Sequence, residues 1–513
     1  MRNRTQAWAR RQSRSTSGQC NGPRRFELPP KLERAQTTLE VDQRFRERIL
    51  HEATYALWLR SPALSARRTF TPAQAAGLVI LATLLGALSL ARPSQVGMAL
   101  IVIMSVGFVL GMIFRLALAW AQARTPARIR DGARPRDSDL PTYTVLVPLY
   151  HEANVLAELV DALAGLDYPR DRLQILLVLE EDDTQTRAAA ALSGGAFEII
   201  VVPRGEPRTK PKACNYALHF ARGDYVVIYD AEDRPEPDQL RRAVMRFRNE
   251  PAQTACLQAR LQITNARQRW IAAMFALDYQ IWFTILLQGL DRLGLPIPLG
   301  GTSNHFRISA LRDVGAWDPF NVTEDADLGM RLARLGYRVS MLDSTTFEEA
   351  PIEFTAWLRQ RTRWLKGYMQ TLLVHGRRCM PGNRRNTLCM LAFLGGGVWS
   401  ALVNPVLWIA FVTSSVGTWD AEGSESLEEF ACASGAGLFA ANMALASLAG
   451  LGRNGFGRRC PVWVAVGFIA YWVLISVAAY RAVWHLIFKA HHWEKTPHGV
   501  CGVVVGRPYA ARS

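Results

Sequence analysis

The chain has 513 residues, of which 49% are hydrophobic and 20% charged, and 60 Lys and Arg against 44 Asp and Glu give a net charge of +16. Apolar content this high excludes a largely disordered chain, and the composition excludes collagen-like and small disulfide-stapled classes. The eight cysteines are scattered without a C-x-x-C pair, so they read as small buried hydrophobes and give no sign of an oxidising compartment.

In chain order, residues 1–70 carry 15 Lys and Arg against 6 Asp and Glu, which predicts a basic arm over 1–68. Residues 69–91 and 93–114 hold no charged side chain, and each run reaches the roughly 20 residues a helix needs to cross a bilayer. Arg92-Pro93-Ser94 predicts a tight turn between them, so two transmembrane helices are expected over 69–122. The long basic arm ahead of the first run excludes a cleavable signal peptide. Uncharged runs recur at 386–419, 430–452 and 460–480, which predicts C-terminal transmembrane and interfacial helices over 386–488. The first of these would extend about 50 Å as one helix, too long for a straight crossing, and Gly395-Gly396-Gly397 and Pro405 are expected to break it. The number of crossings stays open at this point.

Arginine placement orients the chain. Arg124, Arg128, Arg130, Arg134 and Arg136 follow the second run, and Arg377, Arg378, Arg384 and Arg385 precede the third. Both groups flank residues 137–375, which are therefore expected in the cytoplasm. The acidic stretch 420–429 suits an external loop. The basic balance thus marks a face toward anionic lipid, and no nucleic-acid partner is expected.

Between the spans, the apolar runs 144–148, 174–179, 198–202 and 225–229 alternate with helical patterns such as 155–163. Strands apolar throughout, interleaved with helices, predict an α/β domain with a mostly parallel sheet covered on both faces. Ligands of such sheets bind at the carboxyl ends of the strands. Three of the runs lead there into Tyr150-His151-Glu152, Glu180-Glu181-Asp182-Asp183 and Asp230-Ala231-Glu232-Asp233. Asp230, Glu232 and Asp233 offer hard oxygen donors for Mg2+ or Mn2+, although acids after a strand also cap the next helix. Arg208-Thr209-Lys210-Pro211-Lys212 is either a phosphate contact or a solvated loop. Thr323-Glu324-Asp325-Ala326-Asp327 opens a helix, either as an N-cap or as a held carboxylate base. The Trp- and Arg-rich segment 357–366 and the aromatic segment 268–290 read as helices lying at the membrane surface.

Together these segments resemble the processive family 2 glycosyltransferases, the membrane group that includes cellulose, hyaluronan and exopolysaccharide synthases. Pro148-Leu149-Tyr150-His151-Glu152 resembles P-x-Y-N-E, with His151 in place of Asn. Lys212-Ala213-Cys214-Asn215 resembles K-A-x-N, and Asp230-Ala231-Glu232 resembles D-x-D. Thr323-Glu324-Asp325 reproduces T-E-D, and Gln360-Arg361-Thr362-Arg363-Trp364 reproduces Q-x-x-R-W. All five occur in the family's order. Gly300-Gly301-Thr302-Ser303-Asn304-His305 is similar to the loop lining the acceptor pocket, and Trp493-Glu494-Lys495-Thr496-Pro497-His498 to the gating segment. The D-D-G motif lacks its glycine here, and Asp182 is its best equivalent.

The resemblance implies a cytoplasmic GT-A-type domain over 137–350, an interfacial Q-x-x-R-W helix over 351–385 and a tail over 489–513 with the gating segment. It implies an inverting, metal-dependent transfer from a UDP-sugar to a glycan acceptor, in polysaccharide synthesis at the bacterial inner (plasma) membrane, with exopolysaccharide assembly proteins as partners. Asp325, with Glu324, would act as catalytic carboxylates. Tyr150, Glu152, Asp182, Lys212, Gln360 and Arg363 would hold the nucleotide-sugar, Trp364 the acceptor, and Asp230, Glu232 and Asp233 the Mg2+ or Mn2+. The alternative is a non-catalytic membrane receptor or scaffold that binds a nucleotide, which His151 and the missing glycine leave open.

Overall fold

The computed structural model describes residues 43–124, 135–377, 384–415 and 462–492, together with 433, 435 and 437. The acidic stretch 420–429, most of the run 430–452 and the segment 493–498 lie outside the described residues.

Helix α1 (Gln43–Arg60) precedes two long apolar helices, α2 (Pro72–Ala91) and α3 (Pro93–Arg124). Pro72 sits in the first turn of α2, where a missing N–H costs nothing. Thr71 and Gln74 close a reciprocal capping box there. Arg92-Pro93 ends α2 and starts α3, as the tight turn requires. Among the described residues, three further helices are long and apolar enough to cross a membrane: α8 (Trp270–Arg292), α12 (Arg384–Thr413) and the stretch Ala470–Phe488 of α13 (Val462–Phe488). None of the apolar window of α2 is buried, whereas 61% of that of α8 is. The segment 268–290 is thus an interior helix rather than the surface-lying one expected. It packs against α3 closely enough that a Cβ on Gly289 would lie 2.4 Å from the Leu118 carbonyl oxygen.

The long run at 386 is interrupted more gently than expected. A single π-helical stretch, Leu391–Gly395, separates Arg384–Met390 from Gly396–Ser415, and Pro405 stays inside the latter. The glycines shift the hydrogen-bond ladder without breaking the helix.

The middle is an eight-stranded sheet in the order β3-β2-β1-β4-β7-β6-β8-β5. The four expected strands, β1 (Tyr143–Leu149), β2 (Leu173–Glu180), β3 (Glu198–Val202) and β4 (Tyr225–Ile228), form one parallel half. The other half, β5 (Arg234–Pro235), β6 (Thr254–Ile263), β7 (Asn304–Arg307) and β8 (Arg338–Glu348), is mixed, with β6 parallel to β8 and β7 antiparallel to both β4 and β6. Alternate residues of β1 enter different cores. Leu146 packs on the face shared with α6 (Lys210–Leu218) and the long helices, and Val145, Val147 and Leu149 on the face shared with α4 (Leu156–Ala164) and α7 (Gln239–Asn249). Each fully buried Val or Leu contributes about 1.5–3 kcal/mol, which pins the register. Because Tyr143 aligns with both Leu173 and Tyr225, the carboxyl ends of β1, β2 and β4 share one rim.

The segment before α2 is tied to this domain. Asp318 accepts the Ala66 N–H at 2.6 Å and the Ser65 hydroxyl at 3.1 Å. Asn215 donates to the carbonyls of Ala53 and Trp317 and accepts the Trp317 N–H, so its amide is a structural brace rather than a nucleotide contact.

Candidate active site

The rim of β1, β2 and β4 faces α10 (Glu324–Arg334) and α11 (Phe354–Gly376) across a cavity of about 520 Å3. After β1 the chain turns through His151 at φ 52°, in the left-handed region that Asn, Asp and His tolerate best among residues with a side chain. This explains how His stands where the resembled motif has Asn. Asp183 fixes both sides of the turn: it accepts the His151 N–H at 2.5 Å and caps α5 (Thr184–Leu192) through the Thr186 N–H at 3.1 Å. The outcome is that Tyr150 and Glu152 line the cavity.

Two basic residues expected together part company. Residues two apart on a helix point about 200° away from each other. Lys210 faces the cavity, where its ammonium pairs with Asp230 and donates to the Gly301 carbonyl at 2.7 Å. Burial alone would lower the Lys210 ammonium, but the charges of Asp230 and Glu324 outweigh it and hold it above its ordinary value. Lys212, expected to touch the nucleotide-sugar, is instead fully buried and donates to Glu180 and to the Gly205 carbonyl, each at 3.1 Å. Lys212 therefore ties the end of β2 to the loop before α6. Asp182 also stands back from the cavity, joined at 2.6 Å to Arg208, which lines it.

Of the three acids after β4, Asp230 and Glu232 line the cavity. Asp233 does not: one carboxylate oxygen accepts the Asp230 N–H at 2.7 Å and the Thr302 hydroxyl, which braces the loop. Its other oxygen is buried without a hydrogen-bond partner. Glu348, at the end of β8, joins this group from the opposite half of the sheet. Burial, then the neighbouring charges of Asp230 and Glu232, push the Asp233 carboxyl well above the usual carboxylate range. Glu348 is raised in the same way, by burial and then by Asp233, Glu232 and Asp230. This excess of negative charge at one spot fits a cation. Among the described residues no three His, Cys, Asp or Glu are arranged as a complete metal cage. Asp230 and Glu232, which both line the cavity, match the one or two carboxylates that an ion such as Mg2+ takes, with phosphate and water completing its shell.

Glu324 and Asp325 start α10 on the far wall. The Thr323 hydroxyl does not cap the helix. Asp325 accepts its own neighbour's N–H, from Ala326, at 2.7 Å. Burial pushes Asp325 up to about 6. Burial and the adjacent Asp325 charge push Glu324 up to about 8. A Cβ on Gly301 would lie 3.4 Å from Asp325 Oδ2, so the glycine loop that Lys210 holds also borders the carboxylate. Deeper in α10, buried Asp327 pairs with Arg331 at 2.6 Å and with His375 of α11 at 3.0 Å, which locks the two helices together. Gly367 completes that contact, since a Cβ there would sit 2.0 Å from Thr323 Oγ1.

Helix α11 forms a wall of the cavity. Gln360, Arg363 and Trp364 all line the cavity, with Gln360 Oε1 buried and unpartnered. Trp364 packs beside Phe275 and Tyr279 of α8, with ring centroids 5.8 and 5.9 Å away.

Residues 141–367 match the model of the family described as glycosyltransferase like family 2. This segment is thus similar to family 2 glycosyltransferase domains. The mostly parallel α/β sheet agrees with the expectation from the strand pattern. The domain is 27% identical over 246 residues to the probable glycosyltransferase YdaM of Bacillus subtilis, covering 47% of this chain and 58% of that protein. It is 27% identical over 249 residues to glucomannan 4-beta-mannosyltransferase 2 of Arabidopsis thaliana, 47% of this chain and 46% of that one. The beta-monoglucosyldiacylglycerol synthase of Trichormus variabilis is 27% identical over 253 residues, 48% of this chain and 53% of that one. The chain thus spans about half the length of the curated relatives it matches. Among solved structures, the mannosyltransferase PcManGT of Pyrobaculum calidifontis, in complex with GDP-Man and Mn2+, is 20% identical with a TM-score of 0.49, covering 76% of this chain and 99% of that one.

Proposed function

We propose that the protein is a membrane-embedded, inverting glycosyltransferase that moves a sugar from a nucleotide diphosphate donor, UDP-linked by the motif resemblance, to a glycan or lipid acceptor. Its catalytic domain faces the cytoplasm of a plasma membrane, with the arginines that flank the domain on the same side. The observation that carries this reading is the convergence of the acid rim, Lys210, Glu324-Asp325 and the Gln360-Arg363-Trp364 triplet on one cavity.

In this reading Tyr150, Glu152 and Arg208 hold the nucleotide, and Arg208 brings Asp182 into its support. Lys210 and Arg363 answer the diphosphate charge. Asp230 and Glu232 would hold Mg2+ or Mn2+, which when bound supplies Lewis-acid stabilisation of the diphosphate leaving group. The acceptor hydroxyl gives its proton to the Asp325 carboxylate while its oxygen bonds to the anomeric carbon. The bond from that carbon to the diphosphate oxygen breaks on the opposite face, so configuration inverts. A base with a pKa near 6 is ionised at neutral pH yet basic enough to help. Glu324, protonated at that pH, donates or braces rather than accepts. Trp364 offers an aromatic face to the acceptor sugar. Sugar transfer from radiolabelled UDP-sugars by the purified protein with Mn2+ tests the reading, and unchanged transfer by Asp325→Asn would remove the proposed base.

A further inference from the structure

Glu348 lines the cavity yet takes no part in the steps above. Strand β7 runs antiparallel to both β4 and β6, and β8 runs parallel to β6, so β8 points the same way as β4. Glu348, its last residue, therefore reaches the rim of Asp230 from the other half of the sheet. The backbone is pinned there: the Glu348 carbonyl accepts the Thr264 N–H at 3.0 Å and the Thr264 hydroxyl at 3.1 Å.

Neighbouring acids of the rim are engaged. Glu180 accepts from Lys212, Asp182 pairs with Arg208, Asp230 pairs with Lys210, and Asp233 accepts the Thr302 hydroxyl. Among the described residues the Glu348 carboxylate has no hydrogen-bond or ion-pair partner, and its Oε1 is buried. An unsatisfied carboxylate at a cavity wall marks a place where a hydrogen-bond donor belongs.

The surroundings narrow down that donor. Among the described residues no three acids are arranged to hold one ion, so Glu348 does not share the cation of Asp230 and Glu232. Beyond its burial, the charges that act on it most strongly are those of Asp233, Glu232 and Asp230, ahead of Lys210, and they repel a phosphate. On its other side, Glu348 is the charge that acts most strongly on the Tyr279 hydroxyl. Tyr279 packs 5.9 Å from Trp364. Glu348 thus stands between the acids that would hold the metal and the aromatic pair that would hold the acceptor. The group that crosses this interval is the sugar in transit, whose hydroxyls donate. A carboxyl keeps an accepting oxygen for them in either protonation state.

We propose that Glu348 accepts a hydroxyl of the transferred sugar and so selects among nucleotide-sugars. This rests on the glycosyltransferase reading and adds a donor-specificity residue to it. A site built to hydrogen-bond a hydroxyl disfavours the sugar that lacks or inverts it, because the acceptor is then left unpaired.

The test measures equilibrium binding to the full-length protein in lipid nanodiscs with Mn2+. UDP-glucose, UDP-galactose, UDP-N-acetylglucosamine and GDP-mannose are each compared with UDP or GDP. The sugar with the highest affinity relative to its bare nucleotide is then offered in its monodeoxy forms. In Glu348→Ala that relative affinity should fall by about tenfold, the loss of one hydrogen bond, and in Glu348→Gln by less. Affinity for the bare nucleotide, and its Mn2+ dependence, should stay the same in both variants. One monodeoxy sugar should cost the unaltered protein the same factor and cost Glu348→Ala nothing further. An unmoved relative affinity in Glu348→Ala, a full penalty for every monodeoxy sugar in that variant, or a shifted Mn2+ dependence overturns the proposal. Absence of any nucleotide binding by the unaltered protein removes the glycosyltransferase reading and this assignment with it. Nucleotide binding with an unmoved relative affinity removes the assignment alone.

Discussion

Replacing Asp325 by Asn removes a proton acceptor while keeping the shape of the side chain. The Ala326 N–H that Asp325 accepts at 2.7 Å finds an amide oxygen equally suitable, so α10 starts as before. At pH 7 burial leaves Asp325, at about 6, mainly ionised, and Glu324, at about 8, mainly protonated. In the variant the Asp325 charge no longer raises Glu324, yet burial, the larger cause, still holds it above the usual carboxylate range, which limits it as a substitute base. Loss of a general base costs about 10²–10⁴ in rate, or roughly 3–5 kcal/mol of transition-state stabilisation. The assay is initial-rate transfer of radiolabel from a saturating UDP-sugar, followed from pH 5 to 9. For the unaltered protein the rate should fall as pH drops through about 6, because a protonated carboxyl accepts no proton. In Asp325→Asn, kcat should fall by the factor above and that acid limb should vanish, with donor KM changed less than about threefold. A variant rate close to that of the unaltered protein, or a limb near pH 6 that persists in the variant, refutes the assignment.

Lys210 and Lys212 separate binding from folding. Lys210→Met should raise donor KM by about tenfold for one lost charge contact to the diphosphate, with little change in melting temperature. Lys212→Met strands buried Glu180 and should cost about 3–5 kcal/mol, read as a lowered melting temperature. Gly367→Ala drives a Cβ to 2.0 Å from Thr323 Oγ1, which should cost about 1–3 kcal/mol and lower kcat by displacing Glu324 and Asp325. Asp230→Asn should shift the Mn2+ dependence of UDP binding to higher concentrations, measured by titration. An unshifted curve removes Asp230 from the metal.

The parallel half of the sheet and its acid rim were legible because each strand is apolar throughout and ends at a change to polar residues, as at Val178 and Glu180. The mixed half was not. Strand β6 alternates Gln258, Arg260 and Gln262 with apolar residues and bends at a register shift, so it differs from the apolar-throughout runs that marked the parallel half. Glu348 went unnoticed with β8, since nothing local sets it beside Asp230. The Trp-Arg composition of α11 and the aromatic content of α8 signal an interface, and both helices do border membrane segments. Only the three-dimensional packing turns Gln360, Arg363 and Trp364 inward. Lys212 matched a motif letter, but a proline-started helix sends Lys210, two residues earlier, to the other side.

The most direct test of the central claim is a screen of radiolabelled nucleotide-sugars with the full-length protein in lipid nanodiscs and Mn2+, counting label in glycan and lipid fractions. The account predicts transfer from at least one donor, with inversion at the anomeric carbon and loss of transfer in Asp325→Asn. Tight UDP binding with no transfer from any donor would contradict it and leave a nucleotide-binding membrane receptor.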